Sequence, residues 1–232
     1  MKSTKEQLKN RGFVDAGFEN KYQDTNFELR IALLKSKLPT DRTIAARLLA
    51  NNGDRSTIVS LIEALINEKK LYSKIEICNS LVSFGIEAVS PLIGILGTIG
   101  NNQHNEVPKT HFKKDNYPLP RDIASRTLIR IGTIALPDLL NVLHSNNVIS
   151  LSEAIDTIGF ICFYEPQNNV FELLKKCFDN NIDNDLIKWK LFRAMSAFPE
   201  SESFLNEQLQ LSNDELKLEI ERSLSLINKR NS

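Results

Sequence analysis

The sequence contains few cysteines, and none has a metal-binding spacing. Cys78, Cys162 and Cys177 are the only three in 232 residues, each lies in an apolar stretch, and no Cys-x-x-Cys pair occurs. An odd number of scattered thiols argues against a disulfide framework, and a structural zinc site requires four grouped ligands. We therefore expect no metal centre and a fold that depends on its hydrophobic core alone.

Long apolar runs are also missing. The opening stretch MKSTKEQLKNRG has no apolar segment of the kind found in secretory signals. Nowhere do about 18 uncharged apolar residues follow one another, which is the length that a membrane-spanning helix needs. We expect a cytoplasmic protein that does not associate with membranes.

No charge of one sign is in excess. Lys and Arg number 29, Asp and Glu also number 29, and Trp189 is the only tryptophan. Proteins that bind nucleic acids gain much of their affinity from many Lys and Arg contacts with phosphates. A nucleic-acid partner is therefore not expected.

The sequence has no recognisable catalytic constellation. Its three histidines, His104, His111 and His144, are followed by Asn, Phe and Ser, so no His-Glu pair is present. Zinc binding by His104 and His111 would require two further ligands, and no cysteine lies nearby. We expect no catalytic residues, no cofactor and no enzyme activity of the chain's own.

What the sequence does have is an internal repeat. RTIAARLLANNG (42–53), KIEICNSLVSFG (74–85) and RDIASRTLIRIG (121–132) each begin with a basic residue and end with glycine. Apolar residues within each segment are four apart, which places them on one face of a helix. A second apolar period follows each glycine, so each repeat is predicted to be two antiparallel helices.

Weaker copies of the repeat continue to the end of the chain. Equivalent apolar positions are Leu49, Leu81, Leu128, Ile158, Met195 and Leu224. Spacings of about 30 to 47 residues are typical of stacked helical hairpins. Pro91 and Pro137 are predicted to lie in or near the first turn of a second helix, where proline is tolerated.

Four Ser or Thr residues are each followed three positions later by Glu, which predicts capped helix starts. These pairs are Thr25/Glu28, Ser73/Glu76, Ser150/Glu153 and Ser212/Glu215.

RTIAARLLANNG and RDIASRTLIRIGTIALPDLLNVL resemble the HEAT-repeat family, especially the short repeats of phycobilisome-lyase-like proteins. The resemblance implies an all-α, right-handed α-α superhelix of about five hairpins, with first helices on the convex side and second helices on the concave side. Open-ended stacks need polar caps. We expect one domain over 1–232, made of an N-terminal cap (1–40), repeats one and two (41–100), an inserted loop (101–120), repeats three to five (121–211) and a C-terminal cap helix (212–232).

The inserted loop has two interpretations. It is either a basic and aromatic binding loop that contacts a phosphate, or a tolerated surface insertion. Its candidate residues are His111, Lys113, Lys114 and Tyr117. Just before it, Gly94 and Gly97 are expected inside the second helix of repeat two, where they would allow the loop or a partner's backbone to approach closely.

The second helices are expected to present a polar stripe opposite their apolar face. Its candidate partner-binding residues are Ser60, Glu63, Asn67, Gly94, Asp138, Asn141, Glu172 and Lys175. Such a stripe fits a groove for a protein or peptide partner, and it equally fits any solvated helix face.

The sequence thus predicts a non-catalytic scaffold or adaptor. The alternatives are a chromophore-handling protein similar to the bilin lyases, or a DNA glycosylase of the HEAT-like class. Trp189, Phe192, Phe198 and Phe204 are predicted to pack together in the core of repeat five.

Overall fold

Regular structure in the described part of the chain is entirely helical. The computed structural model describes residues 3–51, 54–110 and 112–231, and no strand occurs among them. The helices are Lys5–Lys9 (α1), Phe27–Leu34 (α2), Pro39–Leu49 (α3), Arg55–Asn67 (α4), Leu71–Ser83 (α5), Val89–Ile93 (α6), Ile123–Ile131 (α7), Leu136–Val142 (α8), Val148–Tyr164 (α9), Val170–Asp179 (α10), Asp185–Met195 (α11), Glu202–Leu211 (α12) and Asp214–Asn231 (α13). Short 3-10 turns span Phe18–Tyr22, Gly85–Ala88, Gly132–Ala135 and Pro199–Ser201. The predicted all-α class is confirmed.

The chain divides into two compact units, residues 1–92 and 93–232. We call them the N-terminal and the C-terminal unit. None of the helices in the described residues is both long and apolar enough to cross a membrane. All three cysteines are buried, and no disulfide joins them.

In the N-terminal unit, α3 packs against both α2 and α5, and α4 packs against α5. The predicted apolar positions of the first two repeats, Leu49 and Leu81, are fully buried. The segment before α2 is tied to these helices through its backbone, because Thr43 donates a hydrogen bond to the Gly12 carbonyl at 2.7 Å.

In the C-terminal unit, the first helices of successive repeats contact one another in chain order. Helix α7 packs on α9, α9 on α11, and α11 on α13, while α8 contacts α9, α10 contacts α11 and α12 contacts α13. The repeat positions Leu128, Ile158 and Met195 have no solvent exposure. Helix α7 ends at Gly132, which has a φ of 84°, as its sequence predicts.

The second helices of repeats two and three are short. Helix α6 ends at Ile93, so the expectation that Gly94 and Gly97 lie within a helix is wrong. Gly97 has a φ of 72° and leaves the helical conformation. Pro137 lies in the first turn of α8, as predicted.

The predicted Ser and Thr caps are also wrong, because asparagine caps these helices instead. Asn26 caps α2 and Asn147 caps α9, and the Asn213 side chain accepts from the Leu216 amide at the start of α13. Ser73 lies inside α5, where it is buried and donates to the Pro39 carbonyl. Asparagine is as good a cap as serine, and it stands one to three residues away from the predicted positions.

Gly159 sets the distance between the two central helices of the C-terminal unit. It lies within α9, and a Cβ added there would be 2.8 Å from the Ala194 Cα of α11 and 2.7 Å from Cζ of Tyr117. Both neighbours are themselves buried. The absence of a side chain at this position therefore allows α9, α11 and Tyr117 to pack closely.

We predict that Gly159→Ala destabilises the protein, although alanine normally stabilises a helix interior by about 1 kcal/mol. Overpacking should cost roughly 1 to 3 kcal/mol, measured as the free energy of unfolding in urea. Gly132→Ala is the control, because a Cβ there meets nothing within 4 Å; its cost should come only from its positive φ. A Gly159→Ala protein more stable than wild type would contradict the close approach.

Candidate functional site

Three of the predicted stripe residues line one cavity in the N-terminal unit. Ser60, Glu63 and Asn67 lie on α4 and border a cavity of about 530 Å³. Glu63 and Asn67 are exposed, and Ser60 is half-buried. The other charged lining residues are Lys35, Arg42, Glu68, Lys69 and Lys70.

An ion pair forms the floor of this cavity. The Arg42 guanidinium donates to both oxygens of Glu68, at 2.7 and 2.9 Å, and the Glu68 side chain is almost fully buried. Burial opposes ionisation of Glu68, but the hydrogen bonds from Arg42 and from the backbone amides of Lys70 and Lys69 outweigh it, so the pKa of Glu68 is lowered. The pair neutralises itself, which leaves Glu63 and three lysines to set the charge of the opening.

The remaining stripe residues lie in the C-terminal unit. Asn141 on α8 and Glu172 on α10 are exposed, and Asp138 is half-buried. The Lys175 ammonium lies 5.6 Å from the centre of the Phe204 ring, so this side chain also contributes to packing. Gly94 is exposed but follows α6 rather than lying on it, and it offers no side chain to a partner.

Part of segment 101–120 packs against helices α9 and α13 of the C-terminal unit. Arg222 on α13 donates to the carbonyl of Asn116 at 2.6 Å and to that of Lys114 at 3.4 Å. The Tyr117 ring is buried against Phe160 and Phe163 of α9. The interpretation of this segment as a merely tolerated surface insertion is therefore wrong for Tyr117, since part of the segment belongs to the core.

The two candidate lysines of this segment, unlike Tyr117, are not buried. Lys113 and Lys114 are exposed, and His111 lies outside the described residues. The Phe112 ring faces the Arg222 guanidinium, with 5.2 Å from Cζ to the ring centre.

A second cavity of about 530 Å³ lies between segment 101–120 and helices α9 and α11. The segment supplies walls of rings and prolines and also Tyr117 of the floor, and the helices supply the rest of the floor, which is charged in part. The wall residues include His104, Pro108, Phe112, Pro118 and Pro120, and the floor residues are Tyr117, Asp156, Trp189 and Arg193.

The floor belongs to a network of six buried charges on three helices. The Lys190 ammonium has no solvent exposure and contacts Glu153 at 2.7 Å and Asp156 at 2.9 Å. On the next helix, Glu219 accepts from both Arg193 and Arg222. Three carboxylates and three cations alternate across the interfaces of α9, α11 and α13, so the network is neutral as a whole.

Two polar atoms of the floor have no hydrogen-bond partner among the described residues. They are Oδ1 of Asp156 and the hydroxyl of Tyr117. The Arg193 Nη1 is 3.8 Å from this Asp156 oxygen, which is too far for a hydrogen bond. Burial raises the pKa of Tyr117 well above its usual value, so its hydroxyl stays protonated and can donate.

The protonation states of the neighbouring groups follow from their surroundings. Burial, together with the charges of Arg121 and Arg193, lowers the pKa of His104 to about 4, so its imidazole is neutral at pH 7. That ring meets Trp189 edge-on, with centroids 4.9 Å apart. Burial opposes ionisation of Asp156, but the charges of Lys190 and Arg193 outweigh it and lower its pKa. Burial raises the pKa of Glu153.

The sequence contains a signal for this floor that the apolar periodicity of the helices does not reveal. Glu153 and Asp156 are three apart in the otherwise apolar stretch LSEAIDTIGFICF, and Lys190 and Arg193 are three apart in IKWKLFRAM. Opposite charges at the same spacing in two apolar helices indicate that the helices pair through them, because an unpaired charge in such a helix would be costly to bury.

Comparison with known protein families, with curated proteins and with solved structures found no match in any of the three. Within the residues described, no three His, Cys, Asp or Glu side chains are grouped so that they could hold a metal ion.

We predict that replacing Lys190 by Met destabilises the protein by roughly 3 to 5 kcal/mol, because two buried carboxylates lose their shared cation. Lys188→Met is the matched control. Its ammonium pairs with the half-exposed Asp185, and its loss should cost less than about 1 kcal/mol.

The cost of Lys190→Met should decrease in acid. Lowering the pH protonates Glu153 and Asp156 and so removes the uncompensated negative charge. Urea unfolding at several pH values measures this difference. Equal effects of the two substitutions would contradict a buried network.

We also predict a blue-shifted fluorescence emission, because Trp189, the only tryptophan of the sequence, is only 3 % exposed. Iodide should quench this emission weakly in the native protein and strongly after unfolding. Emission like that of tryptophan in water would show that α11 packs differently.

Proposed function

We propose that this chain is a right-handed solenoid of HEAT-like helical hairpins that acts as a cytoplasmic scaffold or adaptor and binds a protein or peptide partner. The observation that carries the proposal is the cavity of the N-terminal unit, where Ser60, Glu63 and Asn67 lie together. The expected stripe residues of repeat one thus border a recess large enough for side chains of a partner.

The packing order of the helices supports a stacked architecture. Within the C-terminal unit, α7, α9, α11 and α13 contact one another in series, and each of α8, α10 and α12 packs against the helix that follows it. In a solenoid, each repeat buries its apolar face against its neighbours. Serial contacts of this kind are what a stack of helical repeats would produce.

The charge of the cavity indicates the chemistry of the partner. Glu68 is neutralised by Arg42, so Lys35, Lys69 and Lys70 outnumber the one remaining carboxylate, Glu63. Ser60 and Asn67 add groups that can hydrogen-bond a peptide backbone. We therefore propose an acidic peptide segment, for which exposed lysines favour rapid encounter and selectivity more than high affinity.

The proposal is tested with fluorescein-labelled ten-residue peptides of acidic, neutral and basic composition, measured by fluorescence anisotropy. Acidic peptides should bind, and binding should weaken at least fivefold when Lys69 and Lys70 are both changed to Glu. Glu63→Lys should strengthen binding, because it removes the one carboxylate that Arg42 does not neutralise and adds a further cation. Lys176→Glu, on an exposed position of α10, is the matched control and should change little.

Two results would overturn this assignment. One is equal binding of all three peptide classes, and the other is indifference of the acidic peptides to the charge reversals. Duplex DNA serves as a further probe: tight binding that weakens steeply with salt would instead favour the DNA glycosylase alternative.

A further inference from the structure

We propose that the cavity between segment 101–120 and helices α9 and α11 binds a small organic phosphate whose far end carries a neutral hydrogen-bond donor. This site lies within the C-terminal unit and is independent of the peptide groove proposed above.

The floor of the cavity calls for a hydrogen-bond donor. Oδ1 of Asp156 and the hydroxyl of Tyr117 lack partners among the described residues, although the two side chains are only 4 % and 2 % exposed. A buried polar atom left unpaired is unfavourable, and this cost is removed when a ligand supplies the missing bond. An N–H or O–H group would satisfy Asp156, and the Tyr117 hydroxyl can both donate and accept.

The donor should be neutral rather than cationic. Asp156 already faces the Lys190 ammonium at 2.9 Å and the Arg193 guanidinium at 3.8 Å. An amine placed beside these two cations would be repelled, whereas a hydroxyl or a ring amino group would not be. The floor thus selects for hydrogen bonding without a further positive charge.

The opening of the cavity calls for an anion. Arg121 and Lys114 both line it, and both are exposed. A guanidinium and an ammonium together match the charge of a phosphate monoester, and arginine binds phosphate oxygens in a fork. Of the two lysines singled out in segment 101–120, Lys114 therefore lines this cavity and Lys113 does not.

The walls and the size of the cavity indicate that the ligand has an organic group between the phosphate at the opening and the hydrogen-bond donor at the floor. Its walls include the neutral His104 ring, Phe112 and three prolines, which suit the flat or apolar surface of a sugar or a base. A volume of about 530 Å³ is within the range of small-molecule sites and exceeds what a phosphate ion alone would occupy.

Nucleoside monophosphates and sugar phosphates share this chemistry, and a titration separates them. The full chain is titrated with AMP, ribose 5-phosphate, adenosine and inorganic phosphate, with Trp189 fluorescence as the direct readout because Trp189 lines the cavity and is the only tryptophan. Calorimetry provides a second measurement. We expect saturable binding of AMP or ribose 5-phosphate, and weaker binding of adenosine and of inorganic phosphate.

Three variants locate the binding. Tyr117→Phe removes a hydroxyl that bonds to no described residue, so the fold should be kept while affinity falls roughly three- to tenfold. Arg121→Gln should weaken the binding of the phosphorylated ligands at least as much. Lys113→Gln is the matched control, because Lys113 is an exposed cation of the same segment that is not among the residues lining the cavity.

The proposal is overturned if neither phosphorylated ligand binds at millimolar concentration. It is equally overturned if inorganic phosphate binds as tightly as they do, or if Tyr117→Phe and Arg121→Gln bind like Lys113→Gln. Thermal unfolding of each variant shows whether a loss of binding reflects a loss of folded protein.

Discussion

Lys190 carries its positive charge at a site without solvent exposure, held between Glu153 and Asp156 of the neighbouring helix. Removing a charge from water is expensive, and only close opposite charges with good geometry offset that expense. This arrangement favours the observed register of α11 on α9, in which one ammonium contacts both carboxylates. The position of Trp189, of Arg193 and of the cavity above them depends on this register.

The same network extends to the last helix. Arg193 donates its hydrogen bond to Glu219 and not to Asp156, and Glu219 also accepts from Arg222. Arg222 in turn donates to backbone carbonyls of segment 101–120. A chain of charge-assisted hydrogen bonds thus connects Arg193, on the floor of the cavity, with the wall through α11 and α13. Buried polar networks of this kind specify one arrangement more than they add stability, since apolar residues of equal volume could pack as well.

The helical repeat could be predicted from the sequence because its signals are local. Leu49, Leu81 and Leu128 recur at one spacing before a glycine, and all three are fully buried. Helix starts were less predictable, because asparagines at positions 26, 147 and 213 compete with nearby serines and threonines for the same capping role. The length of α6 could not be predicted, because glycine is permissive and does not by itself dictate where a helix ends.

The cavity of the C-terminal unit could not be predicted in the same way. Tyr117, Asp156 and Arg193 come from three separate segments, and no local pattern brings them together. The basic and aromatic character of segment 101–120 was visible, but its burial depends on contacts with Phe160 and Phe163 that only the folded chain supplies. The three predicted residues on α4 were placed together because they belong to one helix, where periodicity suffices.

The bond between Arg222 and the Asn116 carbonyl joins residues that are 106 positions apart. A ribosome releases segment 101–120 long before it has synthesised α13, so during translation the segment is exposed without the guanidinium that later holds it. The cavity can therefore be completed only after α13 has left the exit tunnel. Until then Phe112 lacks the guanidinium that it faces in the folded chain.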